Sequence, residues 1–449
     1  MKHSFATLFI FALLALAGRG SPAAAAAGPE PVVITPLFVD RLVDEAARQN
    51  PSLRAAGAQA EAAGMAVEGV RTWEDPTASF GLLIPSSRDQ RSASEGNLAY
   101  GLEQKLPLYG RPALMRQVAA AEAAGDQLAA GLATDSLRRD LVVALHNLAL
   151  AGREAEVAAE DLAWLDATLA AVDHRYRVGQ ATQVDWLRIQ TARAVAADDL
   201  ITSEREREHR ALTLNRLLNR ELHQTWPRMA PPPLQPPLYY TPSLVAAALA
   251  AEPRLKVLRQ ESVSAQAAAA LTRRQRLPDV SIGVEARQYS GDGGIREGTA
   301  TVSFSVPWLN RSKYDHDWRR DQQRKRASDY AALDYALSVR EELHHQVVDL
   351  DAARRQALLY RDQLIPLTEQ TLHSAQTAWE HNLGPFQDIL ETHRMALANQ
   401  LALARALTDQ ATVMAQICFL TGSRDEGQLV ALAGEPDSAR APSASDPSP

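Results

Sequence analysis

Four stretches of the chain alternate between apolar residues and small or polar ones. Ala78, Phe80, Leu82 and Ile84 alternate with Thr77, Ser79, Gly81 and Leu83. Leu98, Tyr100 and Leu102 alternate with Ala99, Gly101 and Glu103. Val280, Ile282, Val284 and Ala286 alternate with Ser281, Gly283, Glu285 and Arg287. Ala300, Val302, Phe304 and Val306 alternate with Thr299, Thr301, Ser303 and Ser305. A period of two sends successive side chains to opposite faces, so each stretch reads as a strand with one apolar face. The four strands form two β-hairpins, 77–106 and 279–306, with polar turns at 86–96 and 290–297.

Elsewhere the period is helical. Residues 112–176 contain no internal proline and would extend roughly 95 Å as a helix. Within them Ala158, Leu162, Leu165, Leu169, Val172 and Tyr176 are spaced alternately by four and three, a heptad seam that needs a partner helix. The chain then turns at Gly179 and returns over 184–218. A second long helix is predicted over 313–381, bent at Pro366, with a turn at Gly384-Pro385 and a return to Leu420.

These elements occur twice in the same order. Asn50-Pro51-Ser52-Leu53 answers Glu252-Pro253-Arg254-Leu255, and Pro76 answers Pro278. Leu106-Pro107-Leu108-Tyr109-Gly110-Arg111 answers Val306-Pro307-Trp308-Leu309-Asn310-Arg311, and Val178-Gly179 answers Leu383-Gly384. A spacing near two hundred residues is far too long for a solenoid and reads as a duplicated half-protein. The first repeat spans 28–226, with its helical hairpin at 112–220; the second spans 243–423, with its helical hairpin at 312–421. Seven prolines make 227–242 an extended linker. The tail 435–449 has almost nothing to bury and reads as disordered.

Composition changes the picture at the ends and in what it excludes. Lys2, an apolar run over 5–17, Ser21-Pro22 and the small residues 23–27 form a secretory signal peptide, 1–27, too short to span a membrane. No later stretch reaches 18 apolar residues, and mean hydropathy is -0.23. The mature chain is therefore periplasmic or secreted, or it crosses an outer membrane with strands. Cys418 is the only cysteine, so no internal disulfide and no lipid anchor at the cleavage site are expected; its apolar neighbours mark it as a buried thiol. The net charge of -7 argues against a nucleic-acid partner. Abundant Ala, Leu, Arg, Glu and Gln with 6% aromatic residues favour long, closely packed helices.

Enzymatic chemistry finds no footing. There is no P-loop, no G-x-S-x-G, no H-E-x-x-H and no spaced Cys/His cluster, so no catalytic residue, cofactor or metal site is assigned. The acidic residues lie mostly on Arg-rich helices as ion-paired faces. His344 and His345 are neighbours on a helix, point about 100° apart and make a poor chelate.

The strands instead point to lipid. Each is close to the roughly 9–11 residues of a tilted membrane strand. Phe80, Leu82, Tyr100, Ile282, Val284, Val302 and Phe304 are the expected lipid-facing residues. Trp73, Tyr109 and Trp308 flank the strands and would form an aromatic girdle at one rim. Four strands cannot close a membrane barrel, since the smallest have about eight. Open edges in lipid cost several kcal/mol per unpaired backbone group, so the barrel must be shared among copies. Two copies would give eight strands and three would give twelve.

At this point the residues resemble a known family. Asn50-Pro51-Ser52-Leu53, the Asp75-Pro76 lead into a strand, Leu106-Pro107 before a Gly-Arg helix start, Tyr176-Arg177-Val178-Gly179 and Val184-Asp185-Trp186-Leu187 are similar to the TolC-like outer-membrane efflux proteins. The run 101–111 resembles the heavy-metal-cation branch more than the multidrug branch. The resemblance implies a mainly α fold: long periplasmic helical hairpins forming an α-barrel, and four strands given to a trimeric, twelve-stranded outer-membrane β-barrel. It implies partners too: a homotrimer in outer-membrane lipid, docked through a periplasmic adaptor onto an inner-membrane pump. It also implies an acidic pair three residues apart at the closed periplasmic tip, matched here by Asp388 and Glu391. Against the first half, the second-half turn reads as shortened: six residues separate Gly384 from Leu390, eight separate Gly179 from Leu187, and His381 stands where Tyr176 does. The rival reading is a periplasmic adaptor or coiled-coil scaffold. An adaptor would carry one helical hairpin among several small β-rich domains, which this order of elements does not match.

The strand count predicts that the mature chain fractionates with outer membranes and migrates as a heat-sensitive oligomer. Cross-linking in native membranes should yield trimer; a yield of monomer alone would refute the shared barrel.

Overall fold

Each half begins with two helices joined through a capping residue. Helix α1 (Pro36–Gln49) starts where Thr35 Oγ1 accepts the Phe38 N–H at 3.2 Å, with proline in its first turn. Asn50 closes α1 and opens α2 (Pro51–Gly69): its Oδ1 accepts from Ser52 N at 2.8 Å, and its Nδ2 donates to the Leu217 carbonyl at 2.7 Å. The side chain therefore caps a helix and ties it to the far end of the first helical hairpin. In the second half Thr241 caps α5 (Pro242–Ala251), and Glu252 accepts the Leu255 N–H at the start of α6 (Pro253–Arg274). The computed structural model describes residues 30–82, 96–381, 383–424 and 426–433; the signal segment, strand positions 83 and 84, most of the first hairpin's turn and the 435–449 tail lie outside them.

Strands β1 (Thr77–Leu82), β2 (Leu98–Lys105), β3 (Val280–Gln288) and β4 (Ile295–Phe304) form one antiparallel sheet in the order β1-β2-β3-β4. The two hairpins are thus joined through β2 and β3, with a register shift at Arg287/Gln288 near the β3–β4 turn. After β2 the chain reverses into α3 (Arg111–Arg177) through Tyr109 and Gly110, both left-handed at φ 59° and 71°. Glycine adopts that conformation freely, whereas for Tyr109 it is unusual. The matching turn after β4 leads into α7 (Arg311–Leu359) without a left-handed residue.

Helix α3 has 67 residues, roughly 100 Å, and folds back as α4 (Gln183–Leu218). The second long helix is α7 followed by α8 (Ile365–Glu380), returning as α9 (Phe386–Thr421). Where a bend is expected, just before Pro366, the helix carries a π-helical turn, Tyr360–Leu364, and the chain keeps helical φ and ψ through Leu364 and Ile365. Proline lacks an N–H and crowds the preceding turn, and the wider turn absorbs both effects. A short helix, α10 (Glu426–Ala433), completes the described chain.

The core is also duplicated. Leu42, Ala46, Leu141, Leu145 and Leu148 cluster in the first half; Leu244, Ala248, Leu343, Val347 and Leu350 stand in the equivalent places of the second. Each member of the second set lies 202 positions after its counterpart in the first, as Glu252 follows Asn50. A third cluster joins both hairpins near their tips. It packs Leu165 and Val172 of the predicted seam against Ile189 of α4 and Phe386, Ile389 and Leu390 of α9. Tyr176, at the end of the seam, is exposed and stacks at 6.2 Å on Trp186.

His146, on α3, is nine-tenths buried, and its Nδ1 has no hydrogen-bond partner. Burial pushes its imidazole down from 6.5 to about 4. The buried ring is neutral, so below pH 6.5 the unfolded chain takes up the proton first and stability falls with pH until the folded ring also titrates near 4. The full loss is about 3 kcal/mol per chain. His146→Leu should flatten the dependence of the unfolding temperature on pH in that window; a slope equal to wild type would show that the ring is not held neutral.

Candidate functional site

The register sorts the sheet into two faces. Phe80 lies opposite Tyr100, Leu102 opposite Val284, and Ile282 opposite Val302. The seven predicted apolar residues therefore share one face. Phe80, Val284, Val302 and Phe304 are 60–69% exposed there, although such side chains normally seek burial. The other face carries Ser79, Gly101, Glu103, Ser281, Glu285, Arg287, Thr301 and Ser303. Glu103 accepts hydrogen bonds from the Ser281 and Ser303 hydroxyls, so one carboxylate ties together β2, β3 and β4. Glu285 and Arg287 pair at 3.3 Å. Among the described residues, β1 pairs only with β2 and β4 only with β3, leaving an open edge on each side of the sheet.

Below the strands a polar clamp joins the halves. Arg111, the first residue of α3, pairs with Asp279 beside β3 and donates to the Arg274 and Leu277 carbonyls at the end of α6. Lys105 reaches Glu74 at 2.9 Å and Asp279 at 3.7 Å. Trp73 and Tyr109 share the wall of one cavity of about 900 Å³ with these residues. Trp308 does not line it and stands 57% exposed on the turn after β4. The sequence marked Arg111 as part of a motif but gave no sign that its partner is Asp279, 168 positions away.

At the opposite end the two hairpin tips grip each other. The Arg175 guanidinium lies 4.1 Å over the Trp379 ring and donates to the Trp379 carbonyl at 3.2 Å. His393 stacks on Trp164 at 3.6 Å between centroids and meets Asp161 Oδ1 at 2.8 Å through Nε2. Farther along, Arg405 pairs with Glu154 at 2.8 Å. Nothing in the local pattern marked these contacts, which join residues more than two hundred positions apart.

The tip geometry corrects the reading of the second turn. Residues 178–182 separate α3 from α4, and 381–385 separate α8 from α9, so the turns are equal in length. Only the glycine has moved, from the second position of the turn to the fourth. On this alignment Trp379, not His381, is the counterpart of Tyr176, and Asp388 is the counterpart of Asp185. Asp185 is engaged in a capping box with Thr182. Asp388 has Pro385 at the cap instead, so no hydroxyl holds it. Asp388 and Glu391 are both exposed on the first turns of α9, away from the buried Ile389 and Leu390, and Glu391 accepts from Gln387 at 2.6 Å.

Among the described residues, no helix is long and apolar enough to cross a membrane, and no three His, Cys, Asp or Glu side chains are grouped to hold a metal ion. Residues 42–220 match the family model described as outer membrane efflux protein. No curated protein matches the chain by sequence. The fold is similar to the outer-membrane channel OprN, at 17% identity and a TM-score of 0.73, over 86% of this chain and 90% of that one. It is similar to the outer membrane protein VceC from Vibrio cholerae, at 17% identity and a TM-score of 0.72, over 86% and 96%. It is similar as well to the CmeC outer membrane channel of Campylobacter jejuni, at 14% identity and a TM-score of 0.74, over 87% and 88%. The first repeat thus matches the outer membrane efflux protein model, the second repeat is built of the same elements in the same order, and the whole shares the fold of these channels.

Proposed function

We propose that three copies of the chain close a twelve-stranded barrel in the outer membrane and continue it as a helical tunnel into the periplasm. The assembly is the passive duct of a tripartite efflux system, joined by a periplasmic adaptor to an inner-membrane pump. One observation carries this reading: a sheet with two open edges, one exposed apolar face and one polar face. In lipid both edges must pair, and the strands of neighbouring copies supply the partners. The apolar face then meets lipid, and Glu103, Glu285 and Arg287 line a wet lumen. Trp73, Tyr109 and Trp308 fall to the rim where the strands end. A small-residue lining of mixed charge favours passage over capture, so selection of cargo rests with the pump. One continuous sheet beside two helical hairpins disfavours an adaptor, which would divide its strands among separate small domains.

Arginine substitutions test the faces. Phe80→Arg, Val284→Arg or Phe304→Arg should lower the membrane yield of assembled protein, at about 2–4 kcal/mol for each charge near the bilayer midplane. Ser281→Arg and Ser303→Arg should assemble better. Equal yields from the two sets would overturn the lipid and lumen assignment.

Asp388 and Glu391 form the periplasmic gate in this reading. Three copies bring six carboxylates around one axis, an arrangement that favours a multivalent cation touching several at once. Their exposure on one helical stretch, off the buried seam, supports the role. In planar bilayers, trivalent cations on the periplasmic side should block conductance. Asp388→Ala combined with Glu391→Ala should relieve the block, while unchanged block would make both residues ordinary exposed acids at a helix start.

A further inference from the structure

A cavity of about 270 Å³ lies where the two halves meet, well away from strands and tips. Its walls come from the start of α1, the middle of α3, the start of α6 and the end of α9. Apolar side chains make much of the surface, including Val39, Val142, Met414 and Phe419. The polar part is mostly cationic: Arg138, Arg139, Lys256 and Arg424, against one carboxylate, Asp135. Two of the cations are already engaged. Arg138 pairs with Asp40, and Arg139 pairs with Asp140 at 2.8 Å while lying over the Phe419 ring. Lys256 and Arg424 are exposed and meet no carboxylate among the described residues. His146 also lines the cavity, nine-tenths buried, with Nδ1 lacking a hydrogen-bond partner.

We infer that this cavity is a binding site for a compact apolar monoanion, of the size and type of an aromatic carboxylate. Size sets the first limit. A cavity of about 150 Å³ already accepts benzene, whereas drug-sized ligands need about 300–1,000 Å³. A single ring with one polar substituent therefore fits, and a multi-ring cargo molecule does not. Charge sets the second. Lys256 and Arg424 at the mouth offer donors that a carboxylate satisfies with charge-assisted hydrogen bonds. Because burial keeps His146 uncharged at neutral pH, the inner wall adds polarity without a further positive charge. An apolar body against Val142, Met414 and Phe419, with the carboxylate outward, matches the division of the lining. A ligand seated there touches both repeats at once and should stiffen their junction.

The probe is 4-iodobenzoate, with neutral 4-iodobenzamide as its control. Calorimetric titration of the assembled protein in lipid nanodiscs should give one benzoate site per chain, and the amide should bind at least about tenfold more weakly. Lys256→Gln with Arg424→Gln, both exposed positions, should bring the benzoate down to the level of the amide. Ala415→Leu, which fills the cavity without touching the cations, should weaken both ligands. Iodine located in this cavity by anomalous scattering completes the expected result. Equal affinity for the two probes, full binding by the double glutamine variant, or iodine seated elsewhere would each overturn the proposal. None of these readouts involves conductance or export, so their outcome is independent of the duct reading.

Discussion

Unpaired backbone at the edges of the sheet is the constraint on which the rest depends. β1 and β4 each present a row of N–H and C=O groups with no partner strand among the described residues. In water such an edge is a risk of aggregation; in hydrocarbon it costs several kcal/mol for every group. In the proposed duct a single copy would leave both edges unpaired, so copies must share the barrel. Copies joined β1 to β4 continue the antiparallel order without interruption, because the sheet has an even number of strands. The polar clamp below the strands then gains a purpose. Arg111 and Asp279 fix the helices of both halves under the sheet, so in the proposed assembly strand tilt and helix direction are set together.

The helices solve a different problem. The first hairpin pairs α3, roughly 100 Å long, with the shorter α4, and much of both remains half exposed despite their shared clusters. Neighbours complete its packing. Near the tips, Phe386, Ile389 and Leu390 of the second hairpin complete the cluster begun by Leu165 and Val172 of the first. His393, stacked on Trp164 and bonded to Asp161, and Arg175, lying over Trp379, add directional contacts to that apolar seam. The seam sets how closely the hairpins approach, and the polar contacts set where along their length they meet.

Much of this was readable in the residues, for a physical reason. Strands and long helices are local patterns, and the alternation of Phe80, Leu82 and Tyr100 or the heptad of Leu165 and Val172 survives without knowledge of the partner. Duplication helped further, since each motif could be checked against its counterpart. Turns are less legible than strands and helices. Gly179 and Gly384 look like equivalent positions in the sequence, but of the two only Gly179 has a positive φ. Gly384 instead leaves room beside Ala378, whose Cβ would lie 3.2 Å from an added one. The same residue type served two different needs, so aligning the glycines misplaced the turn. The clamps of Arg111 and His393 were not legible at all, because their partners lie far along the chain and belong to no periodic pattern.

The two hairpin tips, finally, are alike in length but not in build. Thr182 and Asp185 lock the start of α4 through reciprocal side-chain bonds, whereas α9 starts behind Pro385 with no side-chain cap. Set around a threefold axis, these tips alternate, one tightly fastened and the next held mainly by packing. The mouth of the tunnel then has six similar teeth but only threefold symmetry. A ring-shaped partner with six equal arms would meet two kinds of seat in turn, and would have to deform or bind in two registers to engage them all.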